Sequence, residues 1–436
     1  MPKAFQELDS LLACFRELGA TRTFCKHLAE NDNTKQQIYL GGSFEVLKLL
    51  VFGEVVAYES VKVPNFKADV PLWWVDGDGE AAPARGAKLI LYPKYPEIRL
   101  SGFLKGCDLA PSENMQPVPA GERRFNNGPD GRILVFGVSS DKVFVHLVLP
   151  ETHIAGEIHQ REKQDDLHGG VFREIASAEQ KNSREKLLNR LREIHQAGWH
   201  ASMRLDRNGN RIPYVARNGG GYTLEALLGV IPNGRSAPDF EGWEIKAYSG
   251  GRITLMTPEP DAGYYGEHGV EAFLRKYGKQ TRQDAIYFTG IHKAGIRSAS
   301  GHLLTTEGFD QISGKIVNVS GGIRLLDQNQ NISAEWTFGR LIKKWSEKHA
   351  AAAYVPYERD EDETIRYRYN SPVLLGEGTE FELFLLAMMA GAVVYDPAPK
   401  LTGLGVSKTH VKARSQFRIG VTNLSKLYRE LTRVTL

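Results

Sequence analysis

Apolar and polar positions alternate along this chain with changing periods, and the changes divide it. Residues 5–18 have helical spacing and predict an amphipathic helix. From 36 to about 150 the pattern shifts to short β-rich runs at 37–40, 88–92, 132–136 and 143–148. Gly, Pro and Asn clusters separate them, the clearest turn falling at 126–131, and that spacing predicts a small barrel or sandwich. Residues 156–182 are polar and charged, with Gln160, Glu162, Lys163, Gln164, Asp165 and Asp166 in near succession, and read as an exposed connection. A helix with Leu187, Leu188, Leu191 and Ile194 on one face then opens a second region of mixed strands and helices. The longest apolar run, 383–395, is too short to span a bilayer and reads as a buried helix ended by Asp396-Pro397.

A length of 436 residues exceeds one ordinary core, so two domains are expected: 1–160, a linker over 161–184, and 185–436. With 42% hydrophobic and 25% charged residues the composition is that of a globular protein. The formal net charge of +3 does not exclude a nucleic-acid partner, since a local basic face decides that. Cys14, Cys25 and Cys107 are far apart and form no C-x-x-C pair, so neither a zinc site nor a disulfide framework is expected. The first residues lack the apolar core of a signal peptide, and a cytoplasmic location is expected.

The densest candidate chemistry lies at Gly221-Tyr222-Thr223-Leu224-Glu225 and Pro238-Asp239-Phe240-Glu241-Gly242-Trp243-Glu244-Ile245-Lys246. Residues 243–248 read as a short strand ended by Ser249-Gly250-Gly251. Strand alternation puts Glu244 and Lys246 on one face and Trp243 and Ile245 on the other, so the apolar face can be buried while the charged pair edges a cleft. Glu225 lies fourteen positions before Asp239, on a segment whose Leu224, Leu227 and Leu228 predict a helix. A hard cation such as Mg²⁺ prefers carboxylate oxygens, and it can polarise a phosphate and help generate hydroxide. Lysine adds a point charge that can orient the attacking water. Asp239 and Glu244 are therefore assigned as metal ligands and Lys246 as the water-positioning group. Glu225 is assigned to the metal's water shell or to a second ion. A Glu-x-Lys pair alone is usually solvated strand surface; Asp239, Glu225 and the Gly219-Gly220-Gly221-Tyr222 lead-in make the set specific.

Over residues 185–436 this array resembles the MutH/MvaI/BcnI branch of the PD-(D/E)xK nucleases, which has an acidic residue on an early helix, then Asp, then Glu-x-Lys. The resemblance implies Mg²⁺-dependent cleavage of double-stranded DNA at a short specific sequence. It also implies a monomer that nicks each strand in turn, and a cognate DNA methyltransferase that acts in the same system without being a stable subunit.

The N-terminal region carries a second pattern. Residues 24–40 pack amides, lysines and a short acidic residue before a strand, and such side chains pair with base edges or bind phosphates. Chemistry alone also fits a polar loop before a strand. The order K-x-L-x-x-N-D-x…Q-x-Y resembles the effector domain of EcoRII-type restriction enzymes, a DNA-binding pseudobarrel of the plant B-three type that grips the major groove with two arms. The resemblance covers about residues 20–105. It implies a first arm over 26–37, with Lys26, Asn31, Asn33, Lys35 and Gln37 as contacts. The candidate second arm is 92–102, with Lys94 and Arg99. The loop after Asn31-Asp32 is shorter than in that pattern, and no matching basic run follows.

Near the C-terminus, alternation over 412–419 would put Lys412, Arg414, Gln416 and Arg418 on one strand face, either reading DNA or protecting a solvated edge. His292, Arg297 and His302 fall in a region that could also face DNA, and the acidic run 358–363 reads as a solvated loop. The expected architecture is α+β: an N-terminal β-pseudobarrel, then a PD-(D/E)xK restriction-endonuclease-like α/β domain with a central mixed sheet. The expected activity is that of a type II restriction endonuclease with an effector site in the N-terminal domain. The alternatives are a MutH-like strand-nicking repair endonuclease and a non-catalytic sequence-specific DNA-binding protein.

Overall fold

A computed structural model of the chain describes residues 5–95, 97–123, 129–162, 167–168, 170–175, 183–216, 218–231, 239–348, 351–362, 364–405 and 408–436. Pro238, residues 163–166 and the first half of the expected turn, 126–128, lie outside the described residues. The chain divides into two compact units, Met1–Lys181 and Asn182–Leu436. No helix among the described residues is long and apolar enough to cross a membrane.

The first unit is built on two sheets. Strand Arg22–Ala29 runs antiparallel to Pro129–Val138, which pairs in turn with Val143–Val148. Leu72–Val75 joins Val143–Val148 in parallel and Ala81–Pro83 closes that edge. Residues 133–138 and 143–148 are buried on both faces, which explains their near-continuous apolar runs. Helix Leu8–Glu17 covers this sheet with Leu8, Leu11, Leu12 and Phe15, so the amphipathic stripe becomes core. The second sheet is antiparallel, in the order Gln37–Gly41, Glu97–Ser101, Lys88–Tyr92, Asn65–Asp69, Val56–Tyr58.

The segment expected as a linker is structured where it is described. Residues 153–161 form a helix capped by Thr152, whose hydroxyl accepts from the Ala155 N–H. Phe172–Glu174 pairs with Arg22–Ala29, and Leu167–His168 adds outside it. The cause is apolar: Ile154, Ile158 and Phe172 are buried, Phe172 edge-on to Phe24 and Phe136. A reading weighted by the charged residues around 160–166 passes over these sparse anchors.

The second unit opens with helix Ser183–Gln196, burying Leu187, Leu191 and Ile194 as the spacing predicts. Its main sheet runs Trp199–Ala201, Arg366–Tyr369, Ala351–Asp360, Val373–Glu377, Glu430–Val434. Strand Glu244–Tyr248 pairs in parallel with Ala351–Asp360, from Glu244 opposite Ala352 to Tyr248 opposite Pro356, which makes the sheet mixed. Two expectations in this unit are corrected. The run 383–395 is a helix, Phe381–Met389, followed by a strand, Val393–Tyr395, because Gly391 at φ 72° turns the chain between them. The acidic run begins inside strand Ala351–Asp360, where Glu358 faces Arg368 and Asp360 faces Arg366 as cross-strand ion pairs.

Candidate active site

The site starts from a tight reversal. Phe240 and Trp243 exchange backbone hydrogen bonds of 3.0 and 2.8 Å. Glu241 (φ 47°) and Gly242 (φ 86°) between them both have positive φ, the signature of a type I′ hairpin turn. Continuing that register sets Asp239 opposite Glu244. The backbone N–H of Ile245 donates to Asp239 Oδ2 at 2.9 Å, which fixes the carboxylate beside the strand.

Strand Glu244–Tyr248 sends alternate side chains to opposite faces, but the expected charged cleft edge is corrected: Glu244 is buried as deeply as the apolar face, and Lys246 is half-buried. Trp243 and Ile245 enter a core with Leu187, Leu191, Leu224 and Leu227. Glu244 is 1% exposed, and the ammonium of the half-buried Lys246 donates to its Oε1 at 2.5 Å. A buried carboxylate requires a nearby positive charge, and Lys246 supplies it. Beyond them, the hydroxyls of the buried Tyr354 and Tyr428 lie 2.6 Å apart. Burial pushes both phenols up, and the Glu244 charge adds to the effect. These two tyrosines were not legible from the sequence: Tyr354 reaches the site through register with Lys246, and Tyr428 through a short 3₁₀ segment, Val421–Leu427, that precedes it.

Glu225 lies on helix Gly219–Leu227, which buries Thr223, Leu224, Ala226 and Leu227 and leaves Glu225 half-buried. The helix packs against strand Glu244–Tyr248. Tyr369 donates to the Gly220 carbonyl at 2.7 Å; burial pushes its phenol up, and the Glu225 charge is among the lesser contributors. The glycine lead-in is explained by close approach. A Cβ on Gly219 would stand 2.5 Å from the Tyr367 hydroxyl, one on Gly220 would strike the Tyr357 ring, and one on Gly221 would meet nothing within 4 Å. Gly220→Ala is therefore expected to destabilise by about 1–3 kcal/mol through overpacking. Gly221→Ala should be neutral or stabilising by up to about 1 kcal/mol. Thermal unfolding of the two variants side by side checks this, and equal effects would contradict the packing argument.

A sequence model of the MvaI/BcnI restriction endonuclease family matches residues 188–428, more than half of the chain and all of this site. The chain belongs to the MvaI/BcnI restriction endonuclease family. Among solved structures, the chain is similar to restriction endonuclease MvaI in complex with cognate DNA substrate, at 20% identity over 59% of this chain and 99% of that one, with a TM-score of 0.43. MvaI in the absence of DNA matches at 18% identity over 58% of this chain and 98% of that one, with a TM-score of 0.33. No curated protein matches the chain.

Outside the carboxylate set, the candidate DNA contacts of this MvaI/BcnI family member fall into two groups. Lys35 and Lys94 are exposed, and Gln37 and Arg99 are half-buried neighbours on the five-stranded sheet, Arg99 also pairing with Glu97 at 3.0 Å. Asn31 is half-buried, its carbonyl accepting from the Thr34 hydroxyl at 2.6 Å. Lys26 and Asn33 are not presented at the surface. Lys26 is 3% exposed, with its ammonium 2.7 Å from Asp32. Asp32 also accepts the N–H groups of Ala29 and Tyr39, so it ties the loop closed from within. Asn33 donates to the Met115 carbonyl at 2.8 Å and takes the left-handed conformation, φ 69°.

The expected basic face at 412–418 is broken. Strand His410–Lys412 belongs to one sheet and Phe417–Gly420 to another, and between them Ser415 and Gln416 are buried. Lys412 and Arg414 are exposed, whereas Arg418 binds Asp396 at 2.7 Å. The backbone of 414–416 satisfies Asp396 and Ala398, which pulls the chain out of a single strand. Arg297 is exposed and donates to the Gly301 carbonyl.

His292 and His302 are core residues, 0% and 4% exposed, among Phe288, Tyr277 and Tyr395. Burial, helped by His302, pushes the His292 imidazole down to about 4. Its unfolded value is near 6.5, so His292 contributes stability that is present above about pH 6.5 and lost as pH falls towards 4. The full swing is about 3 kcal/mol. His292→Phe should flatten the stability of this unit between about pH 7 and 4.5 in urea titrations, and an unchanged slope would contradict the assignment.

Proposed function

We propose that the chain is a type II restriction endonuclease that hydrolyses phosphodiesters within a short specific duplex sequence, leaving 5′-phosphate and 3′-hydroxyl ends. The observation that carries this reading is the juxtaposition of Asp239 and Glu244 by the Phe240–Trp243 turn, with Lys246 on the same strand face, inside the family-matched region. The donor set is all carboxylate oxygen, which suits a hard cation, and the buried Glu244 already has a positive charge beside it. Asp239 and Glu244 would hold Mg²⁺, with Glu225 at its water shell. When bound, the ion would polarise the phosphate and lower the pKa of a water. The chain's own residues do the positioning. The Ile245 N–H holds Asp239 in place, Lys246 offers a point charge to orient the attacking water, and Tyr354 and Tyr428 keep the ground beneath Glu244 dry. Incubating the full chain with unmethylated plasmid DNA and Mg²⁺ and sequencing the termini tests this. Discrete fragments with a common end sequence are expected; intact plasmid, or ends at random sequence, would overturn it.

The first unit is proposed to be the effector domain, a pseudobarrel with its own DNA site. The support is a row across its five-stranded sheet, where register sets Tyr39 opposite Arg99, Arg99 opposite Ile90, and Ile90 opposite Lys67. Lys35 precedes one end of this face at Gln37, and Lys94 sits in the turn at the other. Replacing Lys35, Lys94 and Arg99 together with Ala in the full chain should lower duplex affinity and reduce its salt slope by roughly one unit per lost phosphate contact. Gel shifts at two salt concentrations read both, and an unchanged slope would remove this face from DNA binding.

A further inference from the structure

We propose that Cys25, His27 and Glu162 form a binding site for a divalent transition-metal ion of the zinc type, separate from the carboxylate site of the nuclease unit. The thiol, imidazole and carboxylate each offer one donor atom, and all three lie within 4.8 Å of one another. Cys25 Sγ is 3.3 Å and His27 Nε2 is 2.5 Å from the same oxygen, Glu162 Oε1.

The fold builds this convergence from two distant segments. Cys25 and His27 are two apart on strand Arg22–Ala29, so alternation sends both to one face. Glu162 is the C-terminal cap of helix His153–Arg161, where the negative end of the helix dipole favours a cation. One turn back on that helix, the exposed His159 stacks on the His27 ring with centroids 5.1 Å apart, which places a further imidazole at the rim.

The chemistry of the donors selects the ion. Sulfur, nitrogen and one carboxylate oxygen suit a borderline ion such as Zn²⁺ or Co²⁺ and not Mg²⁺, which prefers an all-oxygen shell. Tetrahedral coordination with bonds of about 2.0–2.3 Å separates neighbouring donors by roughly 3.3–3.8 Å, and the sulfur–oxygen separation already matches. A thiolate, a neutral imidazole and a carboxylate together balance a dication. Arg173 lies 3.6 Å from Glu162 Oε2 and leaves Oε1 to the site. Binding would displace the thiol proton to solvent, so affinity should rise with pH. The pattern escaped the sequence because C-x-H is not a recognised ligand spacing and its third member lies far along the chain, next to the expected linker.

The test is Co²⁺ titration of the full-length chain, reduced and stripped with chelator. One equivalent should produce a near-ultraviolet sulfur-to-cobalt charge-transfer band. Asp239→Ala should retain the band, since the nuclease site holds no thiol. Cys25→Ser should abolish it, and His27→Gln should weaken Co²⁺ binding by at least about tenfold. Circular dichroism of each variant confirms folding, and Zn²⁺ should raise the melting temperature of the wild-type chain but not of Cys25→Ser. No band in the wild-type chain, a band retained by Cys25→Ser, or equal Zn²⁺ stabilisation of both proteins would overturn the proposal.

Discussion

Asp239→Ala and Glu244→Ala are each expected to lower the single-turnover cleavage rate by about 10³-fold or more, on the order of 4 kcal/mol of transition-state stabilisation. The affinity for a specific duplex should stay within about threefold, because in protein–DNA interfaces phosphate contacts position the protein and base-edge contacts read the sequence. The two residues are not equivalent structurally. Asp239 anchors the Ile245 N–H, and Glu244 neutralises Lys246 at a buried position. Asp239→Asn can keep an acceptor for the Ile245 N–H while losing the charge, so it separates ligand loss from misplacement of the strand. Quenched-flow cleavage and filter binding on the same preparations check both quantities. Near-normal cleavage by either Ala variant would remove that residue from the catalytic set.

The second large effect is on stability. Lys26→Met should destabilise the first unit by about 3–5 kcal/mol, because it leaves Asp32 buried without its cation. Adding Asp32→Asn should recover part of the loss, since a neutral amide costs less to bury than an unpaired carboxylate. Below the unfolding transition, duplex affinity of Lys26→Met should match the wild-type chain. Urea unfolding together with gel shifts measures both. Unchanged stability with lost DNA affinity would instead put Lys26 on the DNA.

The sequence carried the strand at 244–248, its two faces, the helix bearing Glu225 and the order of the carboxylates, because each depends on local spacing. It did not carry what depends on which partner the folded chain brings to each side chain, whether that partner is near in sequence or far. Lys26 reads as a surface cation until Asp32 is seen closing the loop over it. Arg418 reads as one of a row until Asp396 claims it and the strand divides between two sheets. Buried histidines such as His292 sit in a polar, glycine-rich stretch whose core contacts come from Phe288 and Tyr395. In the Gly219-Gly220-Gly221 run, glycine is required at the first two positions by the close approach of Tyr367 and Tyr357, and Gly221 meets no such neighbour.

Asp239 and Glu244 are expected to share one catalytic cation. Anomalous diffraction from crystals soaked in Mn²⁺, a stand-in for Mg²⁺, tests it most directly. One peak bonded to an oxygen of each carboxylate at about 2.1 Å is expected, absent in Asp239→Ala. A peak that touches neither carboxylate, or none at saturating Mn²⁺ with specific duplex bound, would contradict it.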